Sequence, residues 1–175
     1  MLGGALLVAK GILIVVSDTD LSLVPPATLL FALGMVGLHA RLEGRGGVLG
    51  IIGVFLARVA IAASAVNLVG LALNIPAPGD PDAPILLQVT YTVAFLGILI
   101  GLLALGIAAS GAEVLSPSSR AVTLAVGVLW FPLQGIGFAI SDGVGLILGG
   151  LAWVLLGHVL WSGSGTPAEQ TSRVR

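Results

Sequence analysis

Six apolar runs, at residues 2–16, 21–40, 48–75, 85–109, 121–140 and 144–161, make up most of this chain, and only short polar breaks part them. Each run has 15 to 28 residues. A helix needs about 20 apolar residues to cross a bilayer core of about 30 Å. A barrel strand needs only about 9–11 residues, with apolar and polar residues alternating. No such alternation occurs here, so the expected fold is all-α, a polytopic transmembrane helical bundle of six spans.

The composition points the same way. The chain has 175 residues, of which 57% are hydrophobic and 9% charged. A soluble domain of this size is about a quarter charged, because water must solvate its surface. Residues 1–162 are expected to form one transmembrane domain, followed by a polar, flexible cytoplasmic tail at 163–175.

The breaks differ in character. Pro25 and Pro26 fall near the start of the second run, where a first helical turn tolerates proline. Residues 76–84 contain four prolines, which forbid a continuous helix. The cluster Ser116-Pro117-Ser118-Ser119 reads as a turn or helix start. Asp20 and Asp142 are candidates to cap the helices beside them. The N-terminus lacks a basic stretch before its apolar run and is interrupted by Lys10. It is therefore expected to be a first span, not a cleaved leader.

Charge placement gives an orientation. The second and fourth breaks and the tail hold Arg41, Arg45, Arg120, Arg173 and Arg175. The other breaks hold Asp18, Asp20, Asp80, Asp82 and Asp142, and no Lys or Arg. Basic connections stay on the cytoplasmic side. This predicts a multi-pass protein of the plasma (inner) membrane with both termini in the cytoplasm and Trp161 at the cytoplasmic interface. The first run is the weakest span. Its nine Leu, Ile and Val residues supply about −4 kcal/mol on an insertion scale, and Lys10 near its centre costs about 2.5–3.5 kcal/mol. The alternative is five spans plus a short N-terminal helix.

The polar residues at membrane depth are few. Lys10 and Arg58 are cations without an Asp or Glu at the centre of any run. Arg58, about ten residues into its run, is expected to face the bundle interior or a wet cavity. With Asn67 and Gln134, and with Ser64 and Gln88 nearby, the two cations form a candidate ligand-binding set for an anionic solute or lipid head group. Snorkelling, or satisfaction by carbonyls and water, is the plainer explanation of both. Pro132, beside Trp130, Phe131 and Gln134, can kink its helix, as broken helices do around transporter sites.

Other chemistry finds no support. There are no cysteines, which excludes disulfides and thiolate sites. His39 and His158 could share a layer, but two histidines alone make a poor metal or haem set. No cofactor or metal is expected. Ser162-Gly163-Ser164-Gly165 lacks the strand of a nucleophile elbow. No Walker, zincin or dinucleotide motif occurs. A net charge of −1 with scattered basic residues gives no field for nucleic acid.

Glycine is abundant, with 26 residues. Gly97 and Gly101, Gly145 and Gly149, and Gly50 and Gly53 stand at helix-packing spacing. Ala94, Gly97, Gly101 and Ala108 form one strip, suited to packing within the bundle or to a seam between copies. Residues 33–56, with a helix, the turn Ala40-Arg41-Leu42-Glu43-Gly44-Arg45 and a glycine-rich restart, resemble small polytopic bacterial membrane proteins of unknown function. Residues 97–128 resemble them too. The resemblance implies no activity and no site residues.

Two function classes follow. One is a non-enzymatic membrane accessory or interaction protein, with the lipid bilayer and a membrane-protein partner or second copy as its neighbours. The other is a small permease or binder for an anionic or amphipathic ligand.

Overall fold

The apolar runs become helices and the breaks become turns. In a computed structural model describing residues 1–18, 22–78, 80–112 and 115–162, the chain forms a bundle of six helices. These are α1 (Leu2–Ser17), α2 (Val24–Arg41), α3 (Gly47–Ala72), α4 (Ile85–Gly111), α5 (Pro117–Ile140) and α6 (Asp142–Ser162). No strand occurs among the described residues. The tail, Arg173 and Arg175, and Asp20 lie outside the described residues.

Local chemistry sets the helix ends. α5 begins at Pro117, earlier than the apolar run suggests, because Ser116 caps it. The Ser116 hydroxyl accepts from the Ser119 N–H at 3.2 Å, and Pro117 occupies the first helical position. At the start of α6 the cap is Ser141, whose hydroxyl accepts from the Val144 N–H at 3.2 Å. Asp142, the expected cap, is instead the first helical residue. α3 ends in a Schellman motif. Asn74 is left-handed at φ 53°, the Ile75 N–H reaches the Gly70 carbonyl at 3.0 Å, and the Asn74 N–H reaches Leu71 at 3.1 Å.

Each helix runs antiparallel to the next, and the six close a ring in which α6 lies beside α1. α2 also touches α4 across the interior. Between apolar helices in lipid, association rests on close packing rather than on escape from water. Glycine provides that closeness here. A Cβ on Gly4 would fall 2.5 Å from the Gly150 carbonyl oxygen, and one on Gly137 2.5 Å from the Gly145 Cα. Gly106 and Gly127 let α4 and α5 meet in the same way. The α4 strip of Ala94, Gly97, Gly101 and Ala108 is buried, with Gly97 and Gly101 against α3, so it packs within the chain.

The antiparallel ring sorts the charges. Arg41, Arg45 and Arg120 lie at one end with Met1 and the end of α6, where an Arg41 guanidinium N–H donates to the Leu160 carbonyl. Asp18, Asp80, Asp82 and Asp142 lie at the other. We call these the basic and acidic ends.

α3, α4, α5 and α6 are each long and apolar enough to cross a membrane. Their outward faces carry Phe55, Ile85, Ile136 and Ile140 largely exposed. A contiguous apolar surface of this extent is poorly suited to water, and these helices suggest a membrane-embedded protein. α1, with 16 residues, rises about 24 Å, less than the hydrocarbon thickness.

Candidate functional site

Ser119 and Thr123 are buried near the basic end, whereas Lys10, Ser64 and Asn67 lie toward the acidic end. There α1, α2, α3 and α4 and the 73–78 connection surround a cavity of about 400 Å³. Lys10 lines it from α1, Pro25 from α2, Asn67 from α3 and Tyr91 from α4. Asn74, Pro76 and Pro78 wall it from the connection, which the Schellman turn directs back over the bundle.

Helix register explains the position of Lys10. Gly11 packs against Gly143, at the start of α6. Lys10 is therefore level with the first turn of α6 and with the α3–α4 connection. It is central in its own short helix, but that helix is set toward the acidic end.

Lys10 is 8% exposed, Asn67 3% and Gln134 6%. Asn67 is held from two sides. Its side-chain amide N–H groups donate to the Ala63 carbonyl at 3.0 Å and to the Thr90 hydroxyl at 3.2 Å. Its Oδ1 is buried without a hydrogen-bond partner. An orphaned acceptor of this kind costs about 1–3 kcal/mol, so a donor from a ligand or a water would find it prepared. One turn away, the Ser64 hydroxyl donates to Thr28 at 3.2 Å, and Thr28 donates to the Pro25 carbonyl at 2.9 Å.

Two further spaces adjoin the cavity. Inward, a space of about 80 Å³ is lined by Thr28, Trp130 and Gln134, and shares Val24 and Tyr91 with the main cavity. The Gln134 Oε1 and the Trp130 Nε1 are buried there without partners, and both side chains lie against Gly149. Outward, a space of about 410 Å³ at Asp80, Gln88 and Thr92 shares Pro78 and Tyr91 with the main cavity. Tyr91 thus lines all three.

Of the four candidate residues, Lys10 and Asn67 share the main cavity and Gln134 lines the inner space. Arg58 does not join them. It is exposed on the outward face of α3, and the expectation that it faces the interior is corrected. The inward face of α3 is occupied by Gly53, Ala57, Ala60, Ser64 and Asn67, which leaves Arg58 on the far side. Tyr91, the chain's one tyrosine, was not foreseen. Its early place in α4, opposite Asn67 in an antiparallel hairpin, was the available signal.

The remaining candidates stay apart. His39 packs against Gly50 of α3, whereas His158 lines an apolar groove between α5 and α6. No group of three or more His, Asp or Glu able to hold a metal occurs among the described residues. Pro132 lies within α5, which continues through it to Ile140. Comparison of the chain with protein-family models, curated proteins and solved structures finds no match.

Proposed function

We propose that this chain is a multi-pass protein of the plasma membrane that binds a small amphiphile with an anionic head group, without catalysing a reaction on it. The observation that carries this reading is the cavity in which the nine-tenths-buried Lys10 stands with Asn67 and its orphaned Oδ1. A cation favours an anionic group, Asn67 accepts a hydroxyl or amide N–H, and the apolar walls formed by Leu71 and Leu87 suit a short hydrocarbon tail. Polar residues inside a membrane bundle are expensive to place, and they concentrate at ligand paths. The arginine turns at the basic end support a cytoplasmic side for both termini.

Thermal unfolding in a neutral detergent tests the reading, because a ligand that binds only the folded state raises its stability. Octyl phosphate should raise the Tm of the wild-type chain, and octanol should not. The rise should vanish in Lys10→Leu and Asn67→Leu and persist in Arg58→Leu. An equal response to octanol, or an undiminished rise in Lys10→Leu, would defeat the proposal.

A second reading, an accessory or interaction subunit, is favoured by a separate observation. Arg58 lies on a helix face that, among the described residues, no other helix covers.

A further inference from the structure

Arg58 stands eleven residues after the start of α3 and fourteen before its end. At 1.5 Å per residue, that is about 16 Å from one terminus and about 21 Å from the other. In a hydrocarbon slab of about 30 Å centred on the helix, its Cα is near the midplane. Among the described residues, no other charged side chain is exposed on α3, α4, α5 or α6 away from the helix ends. Its own face is otherwise apolar. Ile51 and Phe55 precede it and Ala62, Ala65 and Val69 follow it, all exposed at helical spacing. α3 packs against α2 and α4 with its opposite side.

A guanidinium facing lipid at that depth is strongly disfavoured, and intramembrane cations are ordinarily paired or turned inward. Arg58 faces outward, and no Asp or Glu lies within any apolar run of the sequence. Its Asp and Glu residues are Asp18, Asp20, Glu43, Asp80, Asp82, Glu113, Asp142 and Glu169, all outside the apolar runs. A second copy therefore cannot present a carboxylate at the depth of Arg58. The alanines beside it are small enough to let another helix backbone come close.

We propose that this face of α3 docks a transmembrane helix of a different protein, one that carries an Asp or Glu near its midpoint and pairs that carboxylate with Arg58. The pairing rests on the interaction reading above and adds the partner's chemistry to it. The carboxylate accepts guanidinium N–H bonds in a bidentate arrangement. Phe55 and Ala62, one turn to either side on the same exposed face, flank the ion pair and, with the partner, keep lipid from it.

The test uses synthetic transmembrane peptides as the partner, in phosphatidylcholine vesicles that carry no net anionic lipid. One is a Leu/Ala helix with a single central Glu. The second has Gln at that place, and the third has the Glu moved two turns toward one end. Association with the full chain is read by energy transfer. The central-Glu peptide should associate about tenfold more tightly than the Gln peptide, in line with a membrane-buried polar contact. The displaced Glu should lose most of that gain, and Arg58→Leu should abolish it. Arg58→Leu should also keep the wild-type Tm in detergent, since the side chain is exposed on the outward face of α3. Equal association of the Glu and Gln peptides, at the same level in Arg58→Leu, overturns the carboxylate pairing while leaving the interaction reading standing. No association of any peptide with α3 overturns both. A Glu preference that survives in Arg58→Leu overturns the assignment to this residue.

Discussion

Phe31 of α2 and Trp153 of α6 stack face to face, with ring centroids 4.3 Å apart and planes inclined by 13°. Trp130 of α5 meets Trp153 edge-on at 6.2 Å, and Phe95 of α4 lies 6.0 Å from Trp130. Four helices thus join through one aromatic cluster, which also walls the inner space below the cavity through Phe31, Phe95 and Trp130. Truncating a buried aromatic residue of this size costs about 3–5 kcal/mol. Trp153→Ala should therefore lower the Tm in detergent markedly. Phe31→Leu should cost less and shift the tryptophan emission, since it leaves Trp153 in place without its stacked ring. Unchanged emission in Phe31→Leu would show that the stack does not form.

Glycine contacts should be equally selective. A Cβ on Gly11 would fall 2.5 Å from the Gly143 carbonyl oxygen, and a Cβ on Gly143 2.7 Å from that of Gly11. Both neighbours are backbone, so neither can rotate away, and overpacking of this kind costs about 1–3 kcal/mol. Gly11→Ala and Gly4→Ala should each destabilise the bundle, and Gly11→Ala should also weaken octyl phosphate binding by moving Lys10. Gly37 has nothing within 4 Å of an added Cβ. Gly37→Ala should be neutral or slightly stabilising. Thermal unfolding of the three variants side by side decides it, and equal losses would refute the α1–α6 register.

Orientation makes a separate prediction. Reporter fusions within residues 41–46 should report cytoplasm, and fusions within residues 80–83 the opposite side. Adding two or three arginines to the 80–83 turn should disturb insertion, because short loops are held by their basic residues. Adding aspartates to the 41–46 turn should do little, because acidic residues weigh lightly in that rule. Fusions that report the same side at both turns would rule out the alternating arrangement.

Helix number, the turns and the separation of arginine from aspartate were all legible in the sequence, because lipid demands long apolar runs and the chain breaks them with proline, glycine and charge. The facing of each helix was not. A helix that is apolar on every side has no polar stripe to show which face is buried. Arg58 illustrates this. Sequence position gave its depth, but its direction followed from Gly53, Ala57 and Ala60 occupying the inner face of α3. Lys10 illustrates a second gap. Its place within its own run was clear, but its height in the bundle depended on the contact between Gly11 and Gly143, which are 132 residues apart in the chain. Asn67 and Gln134 were legible as polar residues in apolar runs, whereas Tyr91, seventh in its run, was not singled out.

Tyr91 supplies the last prediction. Its side chain borders the main cavity, the inner space at Gln134 and the outer space at Asp80. It therefore acts as a partition whose ring limits how far a hydrocarbon tail can extend. Tyr91→Ala removes the ring and should join the spaces. The wild-type chain should respond more strongly to octyl phosphate than to dodecyl phosphate, and Tyr91→Ala should reverse that order in the same Tm assay. Tyr91→Phe keeps the ring and removes only the hydroxyl, so the chain-length preference should remain. Were Tyr91→Phe to change the preference as much as Tyr91→Ala does, the hydroxyl rather than the ring would set the limit, and the partition would be the wrong account of the cavity. Lys10→Leu should suppress both responses, because the anionic head group loses its cation whatever the length of the tail.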